Sequence, residues 1–401
     1  MEEYKLSDIA EVRTGPFGSQ LHNEDYVSTG TPIVTVEHLG NRRFSKQNLP
    51  LVSDDDKKRL SKYLLQEGDI VFSRVGSVDR CSYVTSAEND WLFSGRCLRV
   101  RCGNNCHPLF LYYYFCKESV KQYIKSIAVG ATMPSINTKL MAEIPILLPK
   151  LEEQRCIADI LSSFDDKIEL NRRINDNLEQ QAQALFKSWF VDFEPFRGGE
   201  FVDSELGLIP KGWRVVSLGE VTKQITEKVG NREDVTVLSP INSGELVLSE
   251  EYFTKQVFSK DLSKYLIVNP LSFAYNPARI NIGSIGLNTF DFVGCVSPVY
   301  VVFECEPNYQ YFFDFFKRTA MFKDEVALRA IGGVRQSLGY NDLSLIKIIY
   351  PTSDVVVEFN NLYLKMKEVM IKNTDQNEKF ISLRDSLLPK LMSGELTINE
   401  I

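Results

Sequence analysis

Five of the eight cysteines in this 401-residue chain, Cys81, Cys97, Cys102, Cys106 and Cys116, fall within residues 81–116, and His107 lies among them. Thiolates and an imidazole this close in sequence are the raw material of a structural zinc site, with Cys97, Cys102, Cys106 and His107 as the set to consider. The paired C-x2-C spacing of such sites is missing, so the expectation is reduced, mostly buried thiols and no metal. Catalytic patterns are absent as well. There is no G-x-x-x-x-G-K-[ST] phosphate loop, no G-x-G-x-x-G, no H-E-x-x-H and no G-x-S-x-G, and His22, His38 and His107 are the only histidines. No catalytic residue is assigned.

Residues able to pair with nucleic-acid bases are better placed. Arg and Lys suit the edge of guanine, and Asn and Gln that of adenine. Arg74 and Arg80 flank Val75-Gly76-Ser77 just after a predicted strand, and Asn276 and Arg279 precede Gly283-Ser284 at the corresponding point of the second half. Arg335 and Gln336 follow Gly332-Gly333 and align with the region of Thr132. Arg42, Arg43 and Lys46 form a basic loop, and Gln20 and His22 follow a glycine turn. Asn276-Pro277-Ala278-Arg279 approaches an amino-methyltransferase motif, but its third and fourth positions differ and no cofactor-binding glycine loop precedes it. It reads as a turn with an exposed arginine. Tyr112–Tyr114 and Phe312–Phe316 offer base-stacking surface, but aromatic runs on predicted helices are expected in the core.

The elements carrying these loops occur twice. Leu60-Ser61-Lys62-Tyr63-Leu64 returns as Leu262-Ser263-Lys264-Tyr265-Leu266, and at the same offset Gly130 matches Gly332, Ile144 matches Ile346 and Asn171 matches Asn373. Two long units are too few for a solenoid and suggest a pseudo-symmetric molecule. Each unit has a lobe with short strands (69–72 and 98–101 in the first, 235–238 and 297–303 in the second), a helix (108–127 and 311–327) and a last edge strand (144–149 and 346–351). The fold expected is α+β, two pseudo-symmetric α/β lobes joined by two long antiparallel coiled-coil helices. The boundaries are a first lobe at 1–150, a first long helix at 151–196, a linker and second lobe at 197–351, and a second long helix and tail at 352–401.

Each lobe is followed by a heptad trace. In the second helix it runs Phe359, Leu362, Met366, Val369, Asn373, Gln376, Phe380, Leu383, Leu387. In the first it runs Ile157, Ile160, Phe164, Lys167, Asn171, Ile174, Leu178, Gln181, Leu185, with Ile168 able to stand in for Lys167. Asn171 and Asn373 take equivalent seam positions, where an Asn fixes register at a cost in stability. Pairing of the two helices within one chain is favoured over pairing between chains, and about 36 residues at about 1.5 Å each make a rod of about 54 Å. The first helix ends in Phe186, Trp189, Phe190 and Phe193, more aromatic surface than a seam needs, which reads as a docking site for another protein or for the second lobe.

The net charge of −7 comes from the helices: residues 151–194 carry ten acids and five bases, 354–401 carry eight and six, and the lobes together balance. Balanced lobes would need partner proteins to bind a polyanion strongly. The acidic start, Met1 to Lys5, and the lack of any run of 18 apolar residues point to a cytoplasmic protein with no membrane span.

Three stretches resemble the specificity subunit of type I restriction-modification enzymes. They are Ile144-Pro-Ile-Leu-Leu-Pro-Lys-Leu-Glu-Glu-Gln-Arg-Cys-Ile-Ala158, Ala184-Leu-Phe-Lys-Ser-Trp-Phe-Val-Asp-Phe193 and Ser204-Glu-Leu-Gly-Leu-Ile-Pro-Lys-Gly-Trp213, with Glu67-Gly-Asp-Ile-Val-Phe72 as a lobe motif. In the second lobe Val268-Asn-Pro-Leu-Ser-Phe273 departs from that motif. The resemblance implies two target-recognition domains, each reading one half of a bipartite double-stranded DNA site across a gap set by the helices. It implies two methyltransferase subunits and ATP-driven restriction subunits as partners. It also implies that S-adenosylmethionine, ATP and Mg sit on those partners, with no cofactor on this chain. A scaffold binding only proteins and a stand-alone transferase are the alternatives from other classes.

Overall fold

The computed structural model describes residues 1–16, 20–253, 255, 258–329 and 337–396. The chain divides into two compact units, Met1–Arg172 with Thr374–Ile401, and Arg173–Asn373. The first long helix spans Leu151–Phe190 and the second Ser353–Ser393, so each contributes one part to each unit.

In the first unit an antiparallel four-stranded sheet runs in the order Ala10–Thr14, Cys97–Cys102, Ile70–Ser73, Cys81–Tyr83. The second unit repeats that order with Thr222–Ile225, Val301–Cys305, Phe273–Tyr275 and Ile285–Leu287. Both units add a terminal two-stranded ribbon, Glu2–Lys5 with Pro145–Leu148 and Arg214–Ser217 with Lys347–Tyr350. A second four-stranded sheet in each contains one parallel pair, Thr31–Val34 with Leu92–Phe93 and Thr236–Pro240 with Gly294–Val296. The edges of these second sheets differ, so the repeat diverges away from the shared antiparallel sheet.

Where one helix is expected at 108–127, two form, Pro108–Cys116 and Glu118–Ile127, separated by Lys117 in an extended conformation (φ −61°, ψ 133°). The break lets the first piece, with Tyr112, Tyr113 and Tyr114 at 4, 2 and 5% exposure, lie wholly in the core, where no base can stack on these rings. The second lobe does the same with Gln310–Phe316 and Ala320–Arg329. The strand expected from Ser297 begins only at Val301, because residues 297–300 form a turn.

The two lobes solve one turn differently. In the first, Gly68 is left-handed (φ +92°) and Asp69, 1% exposed, accepts two bonds from Arg101, both 2.7 Å. In the second, Leu271 takes the left-handed position (φ +62°) and Ser272 replaces the aspartate. This is the physical content of the motif's departure, a strained residue where the first lobe has glycine.

Both long helices pair antiparallel within each unit. In the first unit Phe164 meets Phe380 (ring centroids 6.1 Å), and Asn171 Nδ2 donates to Asn377 Oδ1 (3.0 Å) and Gln376 Oε1 (3.3 Å). In the second, Asn373 Nδ2 donates to Asn175 Oδ1 (2.8 Å), Asn175 Nδ2 to the Met370 carbonyl (3.0 Å), and Phe186 meets Phe359 (5.8 Å). The seam differs from the heptad expected at every second position. Tyr363, Met370, Asn377 and Arg384 are buried or half-buried in place of Leu362, Val369, Gln376 and Leu383, and Asn175 and Ala182 in place of Ile174 and Gln181. Ile168 replaces Lys167 in the same way. Steps of three and four are equally close to the 3.6-residue turn, so sequence favours the more apolar choice. The stripe must also meet a lobe, and that decides it: Tyr363 packs on Phe315 (4.9 Å) and Tyr311 (5.3 Å).

The shifted seam predicts that Tyr363→Ala destabilises the protein by about 3 kcal/mol, whereas Leu362→Ala costs under about 0.5 kcal/mol. Chemical denaturation of the two variants distinguishes this register from one seating Leu362.

Candidate nucleic-acid interface

Strand pairing brings three loops of the first lobe to one rim. Ser73 pairs with Cys97 at the end of the sheet, and beyond it Arg74 N–H donates to the Arg96 carbonyl (2.8 Å). Ile136 N–H donates to the Arg74 carbonyl (2.9 Å) and Gly76 N–H to the Pro134 carbonyl (2.8 Å). Loops 74–80, 94–97 and 129–136 are thus stitched together by backbone, which fixes their side chains without a large core beneath them. Beside them lies a cleft of about 690 Å³ lined by residues including Ser77, Arg80, Lys121, Lys125 and Pro134. Among the described residues Arg80 and Lys121 have no carboxylate within ion-pair distance, while Lys125 pairs with Asp79 at 3.0 Å. The second lobe builds a rim in the same place: Tyr275 pairs with Val301, Asn276 N–H donates to the Ser284 carbonyl (3.1 Å) and Leu338 N–H to the Pro277 carbonyl (3.1 Å).

The expected contacts divide sharply at this point. Arg80 and Thr132 are exposed on the first rim and Arg279 on the second. Arg74 is half-buried and its Nη1 donates to the Gly95 carbonyl (3.1 Å), while Asn276 Oδ1 accepts from Ala278 N–H (3.0 Å) and shapes its own turn. Gln20 holds structure through Oε1, which accepts from Tyr63 Oη (2.6 Å), and through its carbonyl, which accepts from Arg59 (2.8 Å). His22 is exposed, with its backbone N–H bonded to Asp25 (2.6 Å). Lys46 is exposed 3.8 Å from Glu88, and Arg43 is half-buried. Arg335 and Gln336 lie outside the described residues. Lys121 and Arg96 join the rim although sequence did not mark them: strand pairing and the helix break bring them there.

Arg42 is a correction. Its side chain is 12% exposed, and Nη1 lies 2.9 Å from Asp166 Oδ1 and 3.9 Å from Asp165 Oδ2. Asp165 also accepts from Tyr113 Oη (2.6 Å) and from Arg384 of the second long helix. Burial opposes the Arg42 charge, but Tyr113, Asp166 and Asp165 outweigh it and hold the guanidinium above its ordinary value. A loop of the lobe, its core helix and both long helices therefore meet at one carboxylate. Arg42 fastens the lobe to the helices through these carboxylates.

The aromatic cluster docks on the second lobe, one of the two occupants expected. Phe186 and Phe190 are 4 and 6% exposed in the core of the second unit, and Trp189 and Phe193 pack against it. Phe190 meets Trp213 (5.9 Å), Phe312 (5.1 Å) and Phe359 (5.2 Å). Of the two occupants open on sequence grounds, the second lobe covers Phe186 and Phe190, while Trp189 and Phe193 stay half-buried. The cysteines form no metal centre among the described residues. Cys97 is enclosed, its thiol pushed up to about 12 by burial, while Cys102 Sγ lies 3.6 Å from Cys106 Sγ.

Two lobes with unlike rims of similar backbone are each joined to segments of the two long helices. Residues 1–180 match the type I restriction modification DNA specificity domain. The chain is 27% identical to the type I restriction enzyme MjaIX specificity subunit of Methanocaldococcus jannaschii, covering 99% of this chain and 94% of that one. It is 24% identical to the HindI specificity subunit of Haemophilus influenzae, covering 98 and 99%. The crystal structure of a type I restriction-modification S subunit from M. genitalium has the same fold, with a TM-score of 0.60 at 15% identity over 97% of this chain and 95% of that one. Over nearly its whole length the chain is thus similar to type I restriction-modification specificity subunits. No helix among the described residues is long and apolar enough to cross a membrane.

The Asp165 hub predicts that Asp165→Ala lowers the stability of the first unit by about 2 kcal/mol, because the buried Tyr113 hydroxyl loses its acceptor, while Arg42 and Arg384 keep Asp166 and Asp385. The bases recognised stay the same. Urea unfolding measures the first effect and binding to a panel of base-substituted duplexes the second.

Proposed function

We propose that this chain is the DNA-reading subunit of a type I restriction-modification complex, and that each lobe reads one half of a bipartite, asymmetric duplex site. The observation that carries the reading is the pair of rims, matched in backbone connection and different in side chains. Arg80, Thr132, Arg74, Lys46 and His22 are the contacts of the first lobe and Asn276 and Arg279 those of the second. Matching backbone supports one docking geometry used twice, and differing side chains support two unlike half-sites. The long helices, continuous for 40 and 41 residues, would set the unread gap.

The chain itself carries no catalysis in this reading. Methyltransferase subunits bringing S-adenosylmethionine, and restriction subunits bringing ATP and Mg, would assemble on it. Exposed apolar residues on the long helices support docking there: Leu170, Ile174, Val369, Ile371 and Leu383 are 37–52% exposed. Ile174, Val369 and Leu383 are positions that the shifted seam leaves out, and a partner helix is what such exposed apolar residues accommodate. Lobes without a strong excess of positive charge suit a complex in which partners supply many of the phosphate contacts.

Exchanging residues 1–150 for the first lobe of another family member, and sequencing methylated adenines in cells carrying the complex, tests the reading. One half of the motif changes and the other half stays. A motif that changes in both halves, or in neither, removes the independent-reader account.

A further inference from the structure

The hairpin Val129–Ser135 is oddly dressed for a surface loop. Val129 and Met133 are each 63% exposed, and Gly130, Ala131, Thr132 and Pro134 between and beside them are exposed too. Yet the hairpin is fixed. Val129 and Ser135 exchange both backbone hydrogen bonds (2.9 and 2.8 Å), Ser135 Oγ adds a third to the Val129 carbonyl (3.1 Å), and Val75 bridges to Ser135 from the neighbouring loop. Gly130 is left-handed (φ +112°), and a Cβ there would fall 2.7 Å from the Met133 carbonyl, so the tip has one shape. Neither apolar side chain stabilises the core at that exposure. A rigid ribbon that presents large apolar groups to water, next to the unpaired cations Arg80 and Lys121, has the form of a probe for something apolar on a polyanion.

The second rim carries the same combination with other residues. Ile282 is 51% and Val299 72% exposed, on the two loops that leave the paired strand ends at Tyr275 and Val301, beside Arg279. Two independent sequences thus put large apolar side chains at the rim of the same sheet. On the base edges of duplex DNA the one apolar group is the 5-methyl of thymine in the major groove, which is wide enough to admit a two-stranded ribbon.

We propose that Val129–Ser135 is a reading finger of the first lobe. Val129 and Met133 contact thymine methyl groups in the first half-site, Arg80 and Lys121 hold the flanking phosphates, and Ile282 and Val299 do the corresponding reading in the second lobe. This rests on the chain being a DNA-specificity subunit and names the feature of the base that each lobe senses.

The test uses the chain assembled with its methyltransferase subunits and a duplex whose two half-sites are taken from the methylated motif. Each thymine of the first half-site is replaced in turn by uracil, which lacks the methyl group, and Kd is measured by fluorescence anisotropy. At one or two positions uracil weakens binding about fourfold, the factor for one methyl group no longer buried. Met133→Ala weakens binding to the thymine duplex by a similar factor and no longer distinguishes uracil at one of those positions. Lys121→Gln weakens binding to all these duplexes alike and makes the salt dependence shallower by about one unit of slope. A flat uracil scan, or a Met133→Ala variant that still discriminates, overturns the finger while leaving the half-site reading intact. Equal binding by the unsubstituted complex to the motif and to a scrambled duplex overturns both.

Discussion

One buried stripe on each long helix has to satisfy two neighbours at once, the other helix and a lobe. Most of the architecture follows from that double duty. In the first unit Asp165 sits where the requirements meet, receiving Tyr113 from the lobe core and Arg384 from the opposite helix while Arg42 closes over it. In the second unit the junction is largely aromatic, with Phe186, Phe190, Phe359 and Tyr363 interleaved with Phe312 and Phe315, and Arg318 reaching from the lobe to Glu179. A lobe held this way has its rim fixed relative to the helix segment beneath it, as a reader of base edges requires.

The internal repeat divides what must be the same from what must differ. The four-stranded antiparallel sheet keeps its order in both units, since that sheet delivers the rim loops. The second sheet, the rim side chains and the lobe-to-helix junctions diverge. Even the turn before the central strand does so, relaxed at Gly68 and strained at Leu271. Duplication followed by divergence at the rim gives two lobes with one sheet order and different rim side chains.

The lobe–helix–lobe–helix plan was legible because repeated letters and heptads are local signals that survive without tertiary information. The alternate seam positions were not legible. Leu362 and Tyr363 are equally good helical steps, and only Phe315 and Tyr311 of the lobe choose between them. Exposure at a rim was legible for Arg80, Thr132 and Arg279, which follow strand ends and turns. The ion pairs of Arg42 were not legible, because nothing near that residue in sequence announces Asp165 and Asp166, and the cover of Phe186 and Phe190 stayed open, because an aromatic cluster looks the same whether its cover is a partner or the chain itself. The finger at 129–135 was passed over, apart from Thr132, because exposed apolar residues carry no motif.

The central claim is that the helices hold two independent readers at a set distance. Inserting seven residues into both long helices at Arg172 and Asn373 keeps each buried stripe on its own face and lengthens each helix by about 10 Å. Sequencing of methylated adenines in cells carrying this variant with its partner subunits is the most direct measurement. The account predicts a motif with both half-sites unchanged and a gap longer by about three base pairs, at about 3.4 Å per pair. A functional complex that methylates the original motif with its original gap would contradict it.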